Sequence, residues 1–182
     1  MIDSTKKQRF QASVLPHLNS AFNLACWLTR SRQDAEDVVQ EAYLRAFKFF
    51  DSFHGDDSRA WLLTIVRNTF YTWYQEQQKQ RQQTVFDEDV HICQTGDGSG
   101  MAYADNNPET LLMQKDSERQ LQQALQALPL EFREVMVMRE LEELSYKQIA
   151  AIVGIPIGTV MSRLGRGRKL LATILAPARQ EA

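Results

Sequence analysis

The chain is predicted to be all-α, with two small helical domains joined by a flexible acidic linker and a helix-turn-helix in the C-terminal domain. Apolar residues recur at helical spacing in residues 1–83 and again in residues 108–182. Residues 84–107 lose this spacing and accumulate Gly, Ser, Asp and Asn. The 182 residues carry a net charge of −2, so contact with nucleic acid would depend on local positive charge.

Two helices are predicted at the start of the N-terminal domain. Pro16 favours the start of a helix that continues to Trp27. Ser31 with Asp34 forms a capping signal for a longer helix that ends near Phe50. The positions of this longer helix that are expected to face the core are Ala35, Val38, Val39, Ala42, Ala46, Phe49 and Phe50.

The opposite face of the longer helix has a compact stripe, which we call the docking stripe. It consists of Asp37, Gln40, Glu41 and Leu44. A polar stripe with an apolar residue at one end can dock a partner helix. Taken alone, such a stripe is more often a solvated helix face.

A short break containing Phe53, His54, Gly55 and Asp56 precedes another helix, from about Arg59 to Gln80. Aromatic and polar groups in a glycine-containing loop can hold an unstacked base. The alternative is an ordinary helix connection in which Phe53 is a core residue, and spacing alone favours this alternative. The buried side of the helix is expected to consist of Trp61, Leu62, Ile65, Val66, Phe70 and Trp73.

The linker, residues 84–107, contains acidic residues and no Lys or Arg. The acids are Asp87, Glu88, Asp89, Asp97 and Asp105. Repulsion between like charges extends such a segment, and a basic channel would attract it. A merely solubilising linker explains the same composition equally well.

The C-terminal domain is predicted to begin with a helix at Asn107-Pro108-Glu109, and Pro129 precedes the next helix. The apolar positions expected to form its core are Leu111, Leu121, Leu125, Leu128, Phe132, Val135, Met136 and Leu141. These helices are expected to cover the segment that follows.

The segment from Leu144 to Leu171 has the pattern of a helix-turn-helix. Ser145 and Gln148 form a capping box, and Gly154 suits a left-handed helix end. Pro156 fits the first turn of a second helix. On that second helix Val160, Leu164, Leu170 and Leu171 are expected to pack inward, and Ser162, Arg163, Arg166 and Lys169 to face solvent.

Positive charge is concentrated in this segment and beyond it. The basic residues after Ser145 are Lys147, Arg163, Arg166, Arg168, Lys169 and Arg179, against the single acid Glu181. Counterion release attracts a duplex to such a cluster, and the second helix of this motif enters the major groove. A two-helix piece of a larger core with a solvated basic face is the less favoured interpretation.

No catalytic centre, cofactor or metal site is expected. His17, His54 and His91 lie far apart in the sequence, and Cys26 and Cys93 have neither disulfide nor metal-ligand spacing. No secretory leader or membrane span is apparent, so a cytoplasmic protein without membrane insertion is expected.

The sequence resembles the extracytoplasmic-function (ECF) class of bacterial RNA polymerase sigma factors, in the sigma-70 family, along nearly its whole length. DAEDVVQEAYLRAF, residues 34–47, and FDSFHGDDSRAWLLTIVRN, residues 50–68, resemble region two. LPLEFREVMVMRELEELSYKQIAAIVGIPIGTVMSRLGRGRKLL, residues 128–171, resembles region four.

The resemblance implies specific partners for these segments. Asp37, Gln40, Glu41 and Leu44 would bind the clamp helices of the polymerase β′ subunit, and Phe53, His54, Gly55 and Asn68 would receive a flipped base of the minus-ten element. Region four would bind the β flap and the minus-thirty-five element, with Thr159, Ser162, Arg163, Arg166 and Lys169 as the expected DNA contacts. The linker would pass through the active-site cleft, and an anti-sigma factor is an expected partner.

Some residues depart from the pattern of the family. Glutamines between Gln75 and Gln83 stand where members often have arginines, and Met161 stands where a basic residue is common. Gly165 and Gly167 lie inside the recognition helix, where each costs about 1 kcal/mol relative to alanine. Base reading is therefore expected to rest mainly on Ser162, Arg163 and Arg166.

The sequence thus predicts a non-enzymatic subunit that directs core RNA polymerase to its promoters and helps to open them. The expected domains are region two in residues 1–83 and region four in residues 108–182. Two alternatives are a sigma-like decoy that binds an anti-sigma factor and an ordinary helix-turn-helix regulator that binds DNA alone.

Overall fold

The computed structural model describes residues 4–83 and 108–176, which contain helices and no strands. The predicted linker lies outside the described residues. The N-terminal helices are α1 (Ser4–Val14), α2 (Leu18–Thr29), α3 (Arg32–Phe49) and α4 (Ser58–Gln83), with 3₁₀ turns at Leu15–His17 and Phe50–Ser52. The C-terminal helices are α5 (Pro108–Ala127), α6 (Leu130–Met136), α7 (Tyr146–Val153) and α8 (Ile157–Leu175), with a π-helical turn at Val137–Leu141 after α6.

Helices α2, α3 and α4 pack together as the N-terminal core. The predicted cap of α3 is confirmed, because the Ser31 hydroxyl accepts a hydrogen bond from the Asp34 backbone N–H at 3.3 Å. Pro16 lies in the 3₁₀ turn before α2, so that helix begins two residues later than predicted. The buried residues of α4 are Leu62, Leu63, Val66, Thr69 and Phe70.

The prediction that Phe49 is a core residue was wrong. Its side chain is 53% exposed, whereas the neighbouring Phe50 is buried. Phe50 packs edge-on against Phe10 of α1, with the ring centroids 5.4 Å apart. Two consecutive residues of a helix point about 100° apart, so only one of them can enter this aromatic cluster.

The C-terminal domain is built around α6 and α8, and Val135, Met136, Val160 and Leu164 are buried in it. Leu121 and Leu141 were predicted to be core residues but are exposed. Leu141 ends the π-helical turn, where the helix widens and the α-helical spacing used for the prediction no longer applies. The side chain of Leu111 lies outside the described part of the chain.

The helix-turn-helix is formed as predicted. The capping box is complete, because Ser145 and Gln148 each bond the other's backbone N–H. Gly154 ends α7 in the left-handed conformation at φ 76°. Pro156 is the residue before α8 rather than its first residue, and the two helices meet at 101°.

Among the described residues, no single helix has the length and apolar composition needed to cross a membrane. Helices α7 and α8 meet these criteria only when they are taken together as a bent pair.

Gly167 has a packing role that the sequence did not reveal. This residue of α8 is buried, and a Cβ atom added to it would lie 3.0 Å from Met136 Cγ and 3.4 Å from Phe132 Cβ. The absent side chain therefore allows α8 to lie close to α6.

Candidate nucleic-acid interface and docking stripe

The solvent face of α8 carries most of the predicted DNA contacts. Ser162, Arg166 and Lys169 are exposed and Thr159 is half-buried. The Ser162 hydroxyl donates to the Thr159 carbonyl at 3.0 Å. Arg166 has no acidic partner among the residues that the structure describes. Its guanidinium is thus available to a base edge or a phosphate.

Helical spacing predicted that Arg163 faces solvent, but in the structure its side chain is largely covered. Its side chain is 23% exposed and lies 3.5 Å from carboxylate oxygens of both Glu131 and Glu134 in α6. A DNA contact by Arg163 must therefore compete with two acidic neighbours. Both are about 30 positions away in the sequence, which is why helical spacing did not reveal them.

The residues of the loop between α3 and α4 differ in how far their side chains are exposed. The ring of Phe53 is half-buried and stacks on Trp61, with centroids 4.7 Å apart and an interplanar angle of 30°. A Cβ atom at Gly55 would lie 3.1 Å from the Phe53 ring. The Phe53 ring therefore packs on Trp61 and lies close to Gly55. This agrees with the alternative in which Phe53 is a core residue of a helix connection.

His54 and Asn68, by contrast, are exposed. A ring nitrogen of His54, Nδ1, lies 2.8 Å from the Ser52 carbonyl oxygen, which leaves Nε2 free to bond elsewhere. His54 lies in the loop and Asn68 on α4, and each presents an exposed polar side chain.

Asp57 ends this loop and contacts the other domain. Its carboxylate accepts a hydrogen bond from the Ala60 backbone N–H at 2.9 Å and another from the Gln148 side-chain amide at 2.7 Å. The bond from Ala60 and then the bond from Gln148 lower the pKa of Asp57 below its ordinary value. The carboxylate is therefore charged at neutral pH and acts as a hydrogen-bond acceptor for both elements.

All four residues of the docking stripe are exposed on α3, and Leu44 is 64% exposed. Beside the stripe, α3 and α4 border a groove of about 360 Å³. It is lined by Asp37, Val38, Glu41, Arg45, Thr69, Thr72, Trp73 and Glu76. The sequence did not connect the α4 residues with the stripe, because they are at least 25 positions away. The buried hydroxyl of Thr69 has no hydrogen-bond partner in the described structure.

A metal site is not evident within residues 4–83 and 108–176, where no three His, Cys, Asp or Glu residues are grouped as metal ligands. His17 instead lies 3.2 Å from the Ser58 hydroxyl, and Cys26 is buried among apolar residues. His91 and Cys93 lie outside the described residues. The fold is that of a two-domain helical protein with a helix-turn-helix. The second helix of this motif, α8, carries exposed basic residues, and the docking stripe is a separate exposed surface on α3.

Two family models match the chain, one in each of the two domains. Sigma-70 region 2 matches residues 14–80, and Sigma-70 region 4 matches residues 118–171. The chain is 33% identical over 145 residues to the ECF RNA polymerase sigma-E factor of Escherichia coli, with 79% of this chain and 75% of that protein covered. It is 32% identical over 163 residues to the ECF RNA polymerase sigma factor SigE of Mycolicibacterium smegmatis, with 90% of this chain but only 60% of that protein covered.

A solved structure is also similar over both domains. The sigma factor RpoE of Bartonella quintana, in complex with the anti-sigma factor NepR, superposes with a TM-score of 0.74 at 30% identity, and the match covers 94% of this chain and 99% of that chain. CnrH, in complex with the cytosolic domain of CnrY, shares the fold at 22% identity and a TM-score of 0.60. The chain belongs to the ECF class of the sigma-70 family of RNA polymerase sigma factors.

Proposed function

We propose that this chain is an alternative sigma factor that binds core RNA polymerase, directs it to promoters with particular minus-thirty-five and minus-ten elements, and assists DNA melting. The observation that carries the proposal is the presence, on one chain, of a docking stripe in region two and an exposed basic recognition helix in region four. A DNA-binding regulator needs only the second of these.

In this proposal the docking stripe binds the clamp helices of β′. Asp37 and Glu41 supply charge, Gln40 supplies an amide and Leu44 supplies an exposed apolar contact. The adjoining groove extends the surface to Trp73 and Glu76. The flap of the β subunit is the expected partner of region four.

Promoter DNA is read by two surfaces in this proposal. Thr159, Ser162, Arg163, Arg166 and Lys169 contact the minus-thirty-five element, with Arg166 as the readiest contact because it has no described acidic partner. Phe53, His54, Gly55 and Asn68 receive a base of the minus-ten element. Because the Phe53 ring packs on Trp61, the base first meets His54 and Asn68, and Phe53 supports the loop unless the loop opens.

The remaining elements of the proposal follow from the same function. Residues 1–83 form the region-two domain, residues 84–107 the linker through the polymerase cleft, and residues 108–182 the region-four domain. An anti-sigma factor is the expected regulator, and the RpoE structure in complex with NepR supports this expectation. The chain would act in the cytoplasm with the polymerase and have no enzymatic activity of its own.

Run-off transcription on a promoter library tests the proposal. Core polymerase with this chain should initiate at a defined subset of promoters, and core polymerase alone should not. A decoy would give no transcripts, and an ordinary regulator would bind duplex DNA without conferring initiation on core polymerase. Either result would reject the proposed function.

The docking stripe is tested separately by polymerase affinity. The double variant Asp37→Ala, Glu41→Ala should bind core polymerase more weakly and keep its helical circular dichroism signal. Glu36→Ala is the matched control, because Glu36 is an exposed acid of the same helix outside the stripe. Equal affinities of the double variant and the wild type would exclude the stripe as the interface.

A further inference from the structure

Helix α8 carries two exposed apolar side chains that none of the surfaces described above includes. Met161 is 55% exposed and Ile157 is 45% exposed. They are four residues apart, so they are neighbours on the same side of the helix, and we call them the apolar pair. A single exposed apolar residue is ordinary, whereas adjacent ones form the kind of patch that a binding partner covers.

Two glycines of α8 adjoin the apolar pair without a structural reason to be glycine. Successive helical residues are about 100° apart, so Gly158 and Gly165 both fall between Met161 and Ser162 around the helix. A Cβ atom added at either glycine meets no described atom within 4 Å. Both also have helical backbone, unlike Gly154 with its positive φ. Neither packing nor backbone conformation requires glycine here, although glycine is a poorer helix former than alanine.

The missing side chains leave the surface of α8 shallow beside Met161. Glycine permits a ligand to come close to the backbone. A flat group can therefore approach the helix here, with Met161 on one side and Ser162 on the other. The edge of a base pair is such a group, and it is what the recognition helix of this motif meets in the major groove.

The charges on α8 separate a side suited to phosphates from the side of the apolar pair. Arg166 and Lys169 lie beyond the two glycines and have no acidic partner among the described residues. Arg168, two turns along from Met161 on its own side, instead pairs with Glu140 at 2.7 Å. Phosphates are attracted to unpaired cations. The apolar pair is thus left to contact bases.

The major groove offers an apolar side chain one apolar group, the 5-methyl group of thymine. The other groups that distinguish base pairs there are hydrogen-bond donors and acceptors. An apolar side chain against these would cover them without bonding them, which costs free energy. Ile157 and Met161 lie in the first two turns of α8, the part of a recognition helix that contacts base edges. The apolar pair therefore favours thymine and disfavours the other bases at its position.

We propose that Met161, supported by Ile157, reads the 5-methyl group of a thymine in the minus-thirty-five element. This inference rests on the DNA-binding part of the proposed function, since it takes α8 to occupy the major groove. The flexible thioether of Met161 adapts to the methyl group. Ser162 and Arg166, beyond the glycines, contact the polar edges or phosphates next to it.

Replacement of thymine by uracil tests the proposal, because it removes the 5-methyl group and leaves the pairing unchanged. Duplexes are first selected from a random library with the full-length chain, alone and with core polymerase. Each thymine of a selected duplex is then replaced in turn, and affinity is measured by fluorescence anisotropy. The wild type should lose about fourfold at one thymine, as expected when a methyl-sized group leaves an apolar contact.

The variant Met161→Ala should bind that thymine duplex and its uracil counterpart with equal affinity. Met161 is more than half exposed, so its truncation should leave the fold intact. Ile174→Ala is the matched control, because Ile174 is an exposed apolar residue of the same helix, about 20 Å further along it than Met161. This control should keep the fourfold loss.

Two results would overturn the proposal. In the first, no thymine of the selected duplexes is sensitive to replacement when the wild type binds. In the second, Met161→Ala remains as sensitive as the wild type at the same thymine. If Met161→Ala also binds core polymerase more weakly in that second case, the apolar pair is a protein contact instead.

Run-off transcription separates this proposal from the function on which it rests. If the chain shows the thymine effect but core polymerase initiates nowhere with it, the methyl contact stands and the sigma function fails. If initiation is promoter-specific but the thymine effect is absent, the sigma function stands and the methyl contact fails. If the chain selects no duplex, alone or with polymerase, both fail.

Discussion

If Arg163 contacts promoter DNA as proposed, neutralising Glu131 should strengthen that binding, because the Glu131 carboxylate lies 3.5 Å from the Arg163 guanidinium and would compete with DNA for it. The side chain of Glu131 is 54% exposed, so Glu131→Gln leaves no buried group unpaired. Glu134 keeps a contact with Arg163, so the arginine remains in place and loses only part of its acidic surroundings.

The size of the effect follows from the exposure of the pair. Exposed ion pairs contribute about 0.2–1 kcal/mol. If DNA binding must break the pair, its removal should tighten binding by about 1.4-fold to 5-fold. The gain should be largest at low salt, where exposed charges are screened least.

Fluorescence anisotropy of a minus-thirty-five duplex with polymerase carrying each variant measures this effect. Glu140→Gln is the matched control, because Glu140 is similarly exposed and pairs with Arg168, a residue of α8 outside the predicted DNA contacts. The control corrects for the general effect of removing one negative charge. If Glu131→Gln gains no more than Glu140→Gln, or gains as much in an Arg163→Ala background, the competition argument is refuted.

Four further substitutions test the local structure and the docking stripe. Gly154→Ala should lower the free energy of unfolding by about 1 kcal/mol, because the residue has φ 76° and no other atom lies within 4 Å of the added Cβ, so that only backbone strain opposes it. Gly165→Ala, the same change at an uncrowded position inside α8, should raise the free energy of unfolding by up to about 1 kcal/mol. If urea denaturation shows that both substitutions change this free energy in the same direction, both explanations are contradicted. Ser145→Ala removes the cap of α7 and should cost about 1 kcal/mol in the same assay, whereas no loss would mean that the cap is dispensable. Leu44→Ala should weaken binding to core polymerase while changing stability by less than about 0.5 kcal/mol, and unchanged affinity would remove Leu44 from the interface.

The sequence predicted most reliably the features that neighbouring residues determine. The caps at Ser31 and Ser145 and the left-handed end at Gly154 each depend on groups within four positions, and all three are confirmed. The exposure of Ser162 and Arg166 on α8 also follows from helical spacing and is confirmed. The DNA-binding roles of these residues stay predictions.

Features that depend on packing between distant segments were missed. Helical spacing placed Phe49 and Leu141 on apolar faces, but it does not show how much of a face a neighbouring helix covers. The burial of Glu134 and Glu142 was likewise not predicted, since glutamate is usually exposed and their partners in the N-terminal domain lie 63 to 119 positions away. The acidic surroundings of Arg163 have the same non-local origin.

The close approach of α8 to α6 at Gly167 has a consequence for promoter choice. A larger residue there would push the recognition helix away from Met136 and Phe132, since interiors leave little free volume. In the proposed orientation the helix would move as one body, and every side chain on its outer face would shift against the base edges together. If α8 binds the major groove as proposed, the buried residue at position 167 would set the depth at which the helix sits in the groove, and related chains with identical outer faces would differ in the promoters they prefer.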